Sequence, residues 1–297
     1  MMPARPMMKA LVQILEAAAA RLLLFLFAML SLDGASALGG RLARMIGPRL
    51  AVSTIARRNL GRAFPQKSAG EIETIVHGMW DNLGRVAAEY AHLGKLDVTD
   101  PGGRVEVVGI EHVEQLRDDG ICGIFFSAHL GNWEITPLAA TQNGVALTQI
   151  YRSPNNPHME PLMRSLRAPI GGANFPKGSG GAKKLILALN RGEHLGMLVD
   201  QKLNEGIAVP FFGRDAMTAP APAQLALRFG CPLVPARVER LAGAHFRLTV
   251  YPPLVLPDSG DRIADIAAVM GQVNAMIEGW IRERPEQWLW LHRRWPE

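Results

Sequence analysis

The sequence predicts an α/β protein: a mostly parallel central sheet flanked by helices, preceded by an N-terminal helical region that anchors to a membrane. Three observations lead there. From Arg104 onward, short apolar runs alternate with helical periodicity, the pattern of strands joined by crossover helices. Up to about Leu96 the chain reads as helix. Near the start lies its most apolar stretch, Leu22 to Leu32, set among basic residues.

The N-terminal region is lopsided in charge. Up to Arg62 the acids are Glu16 and Asp33, against Arg5, Lys9, Arg21, Arg41, Arg44, Arg49, Arg57, Arg58 and Arg62. The Leu22–Leu32 stretch is short of the roughly 20 residues that span a bilayer. Extending it backwards meets Arg21 and Glu16, and forwards Asp33. It fits a tilted span with a snorkelling arginine, or a helix lying in the interface on anionic lipid. A signal peptide and a buried core helix are the alternatives. The expected anchor is about residues 10–38, within a helical region 1–100.

Farther on, Ser68 with Glu71 matches a capping box. Ile72, Ile75, Val76, Met79, Leu83, Val86 and Tyr90 then recur at three-and-four spacing, an amphipathic helix. Asp100-Pro101-Gly102-Gly103 marks the junction to the second region, 101–297. Strands are expected at 104–109, 121–126, 145–150, 195–199, 208–212, 233–237 and 245–251. Helices are expected at 179–191, capped by Ser179, at 219–229, with Thr218 as cap and Pro220 in the first turn, and at 261–283.

Four clusters suit chemistry. Phe125-Phe126-Ser127-Ala128-His129-Leu130-Gly131-Asn132-Trp133-Glu134 ends a buried strand in a base and a carboxylate. Five helical positions rotate by about 140°, so His129 and Glu134 meet only if the chain turns between them, which Gly131 permits. The expectation is strand, sharp turn, helix start, with His129 as general base and Glu134 orienting its ring. A loop histidine beside a helix-terminal carboxylate is the plainer alternative. Arg152, in Tyr151-Arg152-Ser153-Pro154, follows the next strand and suits an anionic headgroup, or is a surface arginine in a turn. Asp200, closing a strand before Gln201, could orient a catalytic partner, bond a sugar hydroxyl, or bond nearby amides. Phe211 and Phe212, in Pro210-Phe211-Phe212-Gly213-Arg214, suit an acyl chain or plain core.

Other classes fail on residues. The chain has neither the Gly-x-Ser-x-Gly elbow nor a phosphate-binding Gly-x4-Gly-Lys-Ser/Thr loop, and Gly178-Ser179-Gly180-Gly181 is no dinucleotide fingerprint. Close-spaced His/Cys metal ligands are missing, so no metal is expected. Cys122 and Cys231 read as small core residues. The net charge of +5 calls for an anionic partner, but 6% aromatics gives little support to nucleic acid.

The clusters in this order resemble the late acyltransferases of bacterial lipid A biosynthesis, the lauroyl/myristoyl transferase family. The resemblance continues in Arg58-Asn59-Leu60, Ala63-Phe64-Pro65 and the tail Pro285-Glu286-Gln287-Trp288 with Trp290, His292, Arg294 and Trp295. It implies transfer of a fatty acyl group from acyl carrier protein to a hydroxyl of a lipid A precursor, at the cytoplasmic face of the inner membrane, without cofactor. It implies catalytic roles for His129 and Glu134. Substrate contacts are implied for Arg152, Asp200, Asn132, Gln201, Phe211 and Phe212. A related acyltransferase with another acceptor (a mannosylated glycolipid, an aminolipid, a lysophospholipid) is the alternative, and a non-catalytic lipid-binding membrane protein is a rival from another class.

Overall fold

A computed structural model describes residues 4–176 and 179–295. Met1, Gly178, Glu297 and the Ser179 side chain read above as a cap lie outside the described residues. The chain opens with four helices, α1 (Ala4–Ala28), α2 (Leu32–Ile46), α3 (Ser53–Ala63) and α4 (Ala69–Glu89). Within α1, Met8–Ala28 is long and apolar enough to cross a membrane, with a mean hydropathy of 1.9. The helix runs straight through Glu16 and Arg21 because both have partners off the helix. Asn156 donates its amide to Glu16 Oε2 (3.1 Å) and to the Gln13 carbonyl (2.7 Å), and Arg21 donates to the His158 carbonyl (3.2 Å).

Local signals set the next helices. Ser31 accepts from Gly34 N–H at the start of α2. The Ser68–Glu71 capping box opens α4, as expected. Helices α2 and α4 cross where each carries a glycine: a Cβ on Gly39 would lie 2.5 Å from the Gly84 carbonyl oxygen. The two backbones therefore touch, and any side chain there would part them.

Strands and helices then alternate: β1 (Val105–Val108), α5 (Ile110–Asp118), β2 (Ile124–Ser127), α6 (Ile135–Gln142), β3 (Leu147–Tyr151), α7 (Glu160–Arg167), β4 (Ala173–Pro176), α8 (Ser179–Asn190), β5 (His194–Leu198), β6 (Lys202–Phe211), β7 (Arg214–Thr218), α9 (Ala221–Phe229), β8 (Leu233–Ala242), β9 (His245–Val250) and α10 (Arg262–Glu283). Seven strands form one sheet in the order β1-β9-β8-β2-β5-β3-β4. The β8–β9 pair is antiparallel and the other five neighbouring pairs are parallel.

Central β2 is buried on both faces, which is why it reads as a continuous apolar run. Ile124 and Phe126 enter a core built with α3, α4, α8, α9 and α10, while Phe125 enters the opposite core with α5 and α6. The period of two along a strand divides the run between the layers.

Three expectations are corrected. The 208–212 strand lies outside the main sheet: β6 and β7 form a separate antiparallel hairpin. Its two-residue turn, Phe212-Gly213, takes positive φ at both positions (52° and 68°), the condition for a tight hairpin turn. Short β4 went unread because it ends on Pro176 at the sheet edge, where a missing N–H is tolerated. Thr218 does not cap the following helix. It is fully buried, its hydroxyl donates to the Ala216 carbonyl, and Pro220 sits at the cap position instead.

The α2–α4 crossing gives a stability test. Gly84→Val should lower the unfolding temperature by several degrees, an overpacking cost of about 1–3 kcal/mol. Gly61→Ala, in α3 with nothing within 4 Å of the added carbon, should raise stability by up to about 1 kcal/mol. Thermal unfolding of both variants checks the pair.

Candidate active site

The site forms where parallel strands β2 and β5 end side by side, with Ser127 in register with Leu198. Such a carboxyl edge is where open α/β sheets place ligands. Beyond β2 the chain turns through Gly131, whose φ is +58°. A Cβ there would lie 2.6 Å from the Val238 carbonyl oxygen, so only glycine lets the loop press against β8. Glu134 then caps α6. This is the expected sequence of strand, turn and helix start.

Register brings His129 against Asp200. Ring Nδ1 lies 2.8 Å from Asp200 Oδ1, and the His129 backbone N–H donates to Oδ2 at 2.9 Å. Trp288 donates its indole N–H to the same Oδ2 at 2.7 Å. An ionised carboxylate only accepts, so Nδ1 carries the proton and Nε2 presents its lone pair. The amide nitrogen of exposed Gln201 is 3.5 Å from Nε2. The Asp200 side chain is 0% exposed, the His129 side chain 16%. The ring therefore keeps a small exposure that its carboxylate partner lacks.

The charges follow from that placement. Burial by itself depresses the basicity of the His129 ring, but the charge and hydrogen bond of Asp200, with Glu134 adding its charge, leave its pKa above the usual 6.5. Burial opposes ionisation of Asp200, yet the charge and the ring and backbone hydrogen bonds of His129 hold its carboxyl far below the ordinary range. His292 packs edge-on to Trp288 at 4.9 Å, and burial drives its pKa down to about 4, so it stays neutral near pH 7.

Glu134 is placed differently from the expectation. Its hydrogen bonds go to Tyr90, whose hydroxyl donates to Oε1 at 2.6 Å, and to Arg167, whose Nε donates to Oε2 at 3.1 Å. The hydrogen bond to the ring comes from Asp200, the other option offered by the sequence, because strand pairing sets it beside His129. Glu134 acts on the ring by charge alone. Burial and the Glu134 carboxylate push the Tyr90 hydroxyl well above its usual pKa, so it remains a donor. A narrow cavity of about 30 Å³, room for one water, opens between Glu134, Arg167, Gln149, Trp133, Phe125 and Leu147.

Arg167 is the arginine that sequence reading missed. It ends α7 and also donates to the Gln149 side chain at 3.2 Å. Arg152 is exposed and meets Asn155 Oδ1 at 3.4 Å instead. Asn132 is turned inward. Its amide donates to Glu89 (2.9 Å) and its oxygen accepts from Glu134 N–H (3.3 Å), so it is buried and pins the loop. That Glu89 carboxylate also receives Arg240 at both oxygens (2.5 and 3.0 Å), a buried pair behind the loop. Phe211 and Phe212 sit in an aromatic cluster with Phe64, Trp288, Trp290 and Trp295, which makes them core. Cys122 and Cys231 are buried free thiols. Among the described residues, no group of three or more His, Cys, Asp or Glu is arranged to hold a metal ion.

Comparison with known proteins bears on this arrangement. The family described as bacterial lipid A biosynthesis acyltransferase matches residues 5–297. The lipid A biosynthesis acyltransferase of Haemophilus influenzae is 24% identical over 260 residues, covering 86% of this chain and 79% of that protein. The lipid A biosynthesis myristoyltransferase of Escherichia coli K12 is 27% identical over 256 residues, covering 84% and 77%. The phosphatidylinositol mannoside acyltransferase of Mycolicibacterium smegmatis is 24% identical over 244 residues, covering 80% and 78%. A family match that begins in the apolar helix and runs through the His129 loop, the Asp200 strand end and the tryptophan tail takes in the entire site. The chain belongs to the bacterial lipid A biosynthesis acyltransferase family.

Proposed function

We propose that the protein moves a fatty acyl chain from acyl carrier protein to a hydroxyl of a lipid A precursor, with His129 as general base. The observation that carries this is the Nδ1–Asp200 bond, which leaves a basic Nε2 on a ring open to the outside. The acceptor hydroxyl gives its proton to Nε2 as its oxygen bonds the thioester carbonyl carbon. Collapse of the tetrahedral intermediate breaks the carbon–sulfur bond, and the departing thiolate takes the proton from Nε2. Asp200 stabilises the imidazolium formed in between, and the charge of Glu134 adds to it. Arg167, fixed by Glu134 and Gln149, supplies a positive charge suited to the developing oxyanion. Arg152, exposed after β3, suits a headgroup phosphate.

The membrane setting is supported by exposed apolar side chains on two consecutive helices. On α1 these include Leu11, Leu15, Leu22 and Phe25, and on α2 Leu38, Leu42, Met45 and Ile46. Arg41, Arg44 and Arg49 stand along α2 and just after it, as an anionic bilayer surface at the cytoplasmic face favours. The net charge of +5 suits an acidic carrier protein as well.

The similarity to a phosphatidylinositol mannoside acyltransferase makes another glycolipid the second reading of the acceptor. Mass spectrometry of envelope lipids from a deletion strain separates the two. Loss of one acyl chain from lipid A is expected. Unchanged lipid A with a different altered glycolipid transfers the activity to that acceptor.

Purified His129→Ala should lose about 10²–10⁴-fold in turnover while it still folds and sediments with membranes. Substantial turnover by the folded variant removes His129 from the chemistry.

In the unsubstituted protein kcat/KM should rise with pH through a limb above 6.5, because a ring of raised pKa becomes a base only at higher pH. Asp200→Asn should shift that limb downward. NMR titration should show the His129 midpoint above 6.5 and the His292 midpoint near 4.

A further inference from the structure

Residues 285–295 run beneath the site and are joined to the His129 loop. Leu289 N–H donates to the His129 carbonyl at 3.1 Å, Gly131 N–H donates to the Gln287 carbonyl at 3.2 Å, and Leu130 and Trp288 form an antiparallel bridge. Asn82 on α4 donates its amide to the Gly131 carbonyl (2.9 Å) and the Gln287 carbonyl (3.2 Å), clamping loop and tail together. Gln287 also exchanges hydrogen bonds with the Arg240 backbone on β8, both 2.8 Å.

Trp288 and Trp290 are both 0% exposed and touch edge to face, with ring centroids 4.5 Å apart. Their indole N–H groups differ in target. Trp288 donates to Asp200 Oδ2 at 2.7 Å, Trp290 to the Pro285 carbonyl at 2.7 Å. The terminal torsion of an aspartate has a broad, shallow profile, so its rotamer does not fix the carboxylate plane. Donors must do so. Oδ2 has two, the His129 backbone N–H and Trp288.

We propose that Trp288 is a positioning residue for the His129–Asp200 pair: the tail presents its indole N–H to Asp200 Oδ2, which keeps Oδ1 on the imidazole. The proposal rests on His129 being the base. The groups that face the pair are few. His292 and His129 act on Asp200, Arg294 feels the Asp200 charge, and Glu134 acts on the His129 ring. Burial pushes His292 down to about 4, and Arg294 stays charged, so between pH 5 and 9 the change reads out at His129.

Removing the indole donor leaves the Asp200 charge less shared, and the ring proton is then held more tightly. In Trp288→Phe the NMR midpoint of His129 should rise by about half a unit or more. Turnover at saturating substrate should fall about 10–100-fold, with KM little changed. Trp290→Phe, the same chemical change in the same cluster, should leave both quantities where they are. On an Asp200→Asn background, Trp288→Phe should add no further shift. An unmoved or lowered midpoint in folded Trp288→Phe overturns the proposal, as does an equal shift in Trp290→Phe. If Trp288→Phe does not fold, the intact protein carries the test. Asp200→Asn should move the indole N–H resonance of Trp288 and not that of Trp290, and a stationary Trp288 signal overturns the proposal. Failure of the base assignment is separable, because His129→Ala then retains turnover while these resonances still report on the Trp288–Asp200 contact.

Discussion

The structure is organised around one buried negative charge. A carboxylate with no exposure, such as Asp200, loses several kcal/mol of hydration and is tolerated only with partners. Its three donors come from separate parts of the chain: the backbone and ring of His129 after β2, and the indole of Trp288 in the tail. Satisfying that charge therefore requires the β2–β5 pairing, the turn at Gly131 and the docking of residues 285–295 together. Each can be perturbed only by exposing the same uncompensated anion. The Glu89–Arg240 pair repeats this logic one layer back, where Ser36 and Asn132 complete the coordination of Glu89.

Local physics made much of this legible beforehand. The apolar run of β2 announces a strand covered on both faces, Gly131 announces the turn, and Ser68 with Glu71 announces the start of α4. Each signal lies within a few residues of the feature it specifies. The motif around His129 was readable for the same reason, and so was the family.

What stayed open or unread depends on pairing at a distance. His129 and Asp200 are 71 positions apart and meet only because β2 and β5 are neighbours. Sequence adjacency favoured Glu134 as the ring's partner, but its hydrogen bonds go to Tyr90 and Arg167, which lie 44 and 33 positions away. Arg152 and Arg167 both lie in the β3–β4 connection, and only its fold decides which of them meets Glu134. Of the two readings of Phe211 and Phe212, acyl-chain contact or plain core, burial fits the core; the turn at Phe212 was hidden because phenylalanine at φ 52° runs against propensity. The length of α1 was hidden similarly, since the partners that tame Glu16 and Arg21 lie at residues 156–158.

Those last contacts reach further than the helix they explain. Asn156 and His158 precede α7, the helix that ends in Arg167, so the apolar helix grips the base of the very crossover that supplies the arginine. Deleting the first thirty residues, a common route to a detergent-free sample, strips the Asn156 amide of both its acceptors. The His129–Asp200 pair takes its hydrogen bonds elsewhere, whereas the crossover is tethered to α1 directly.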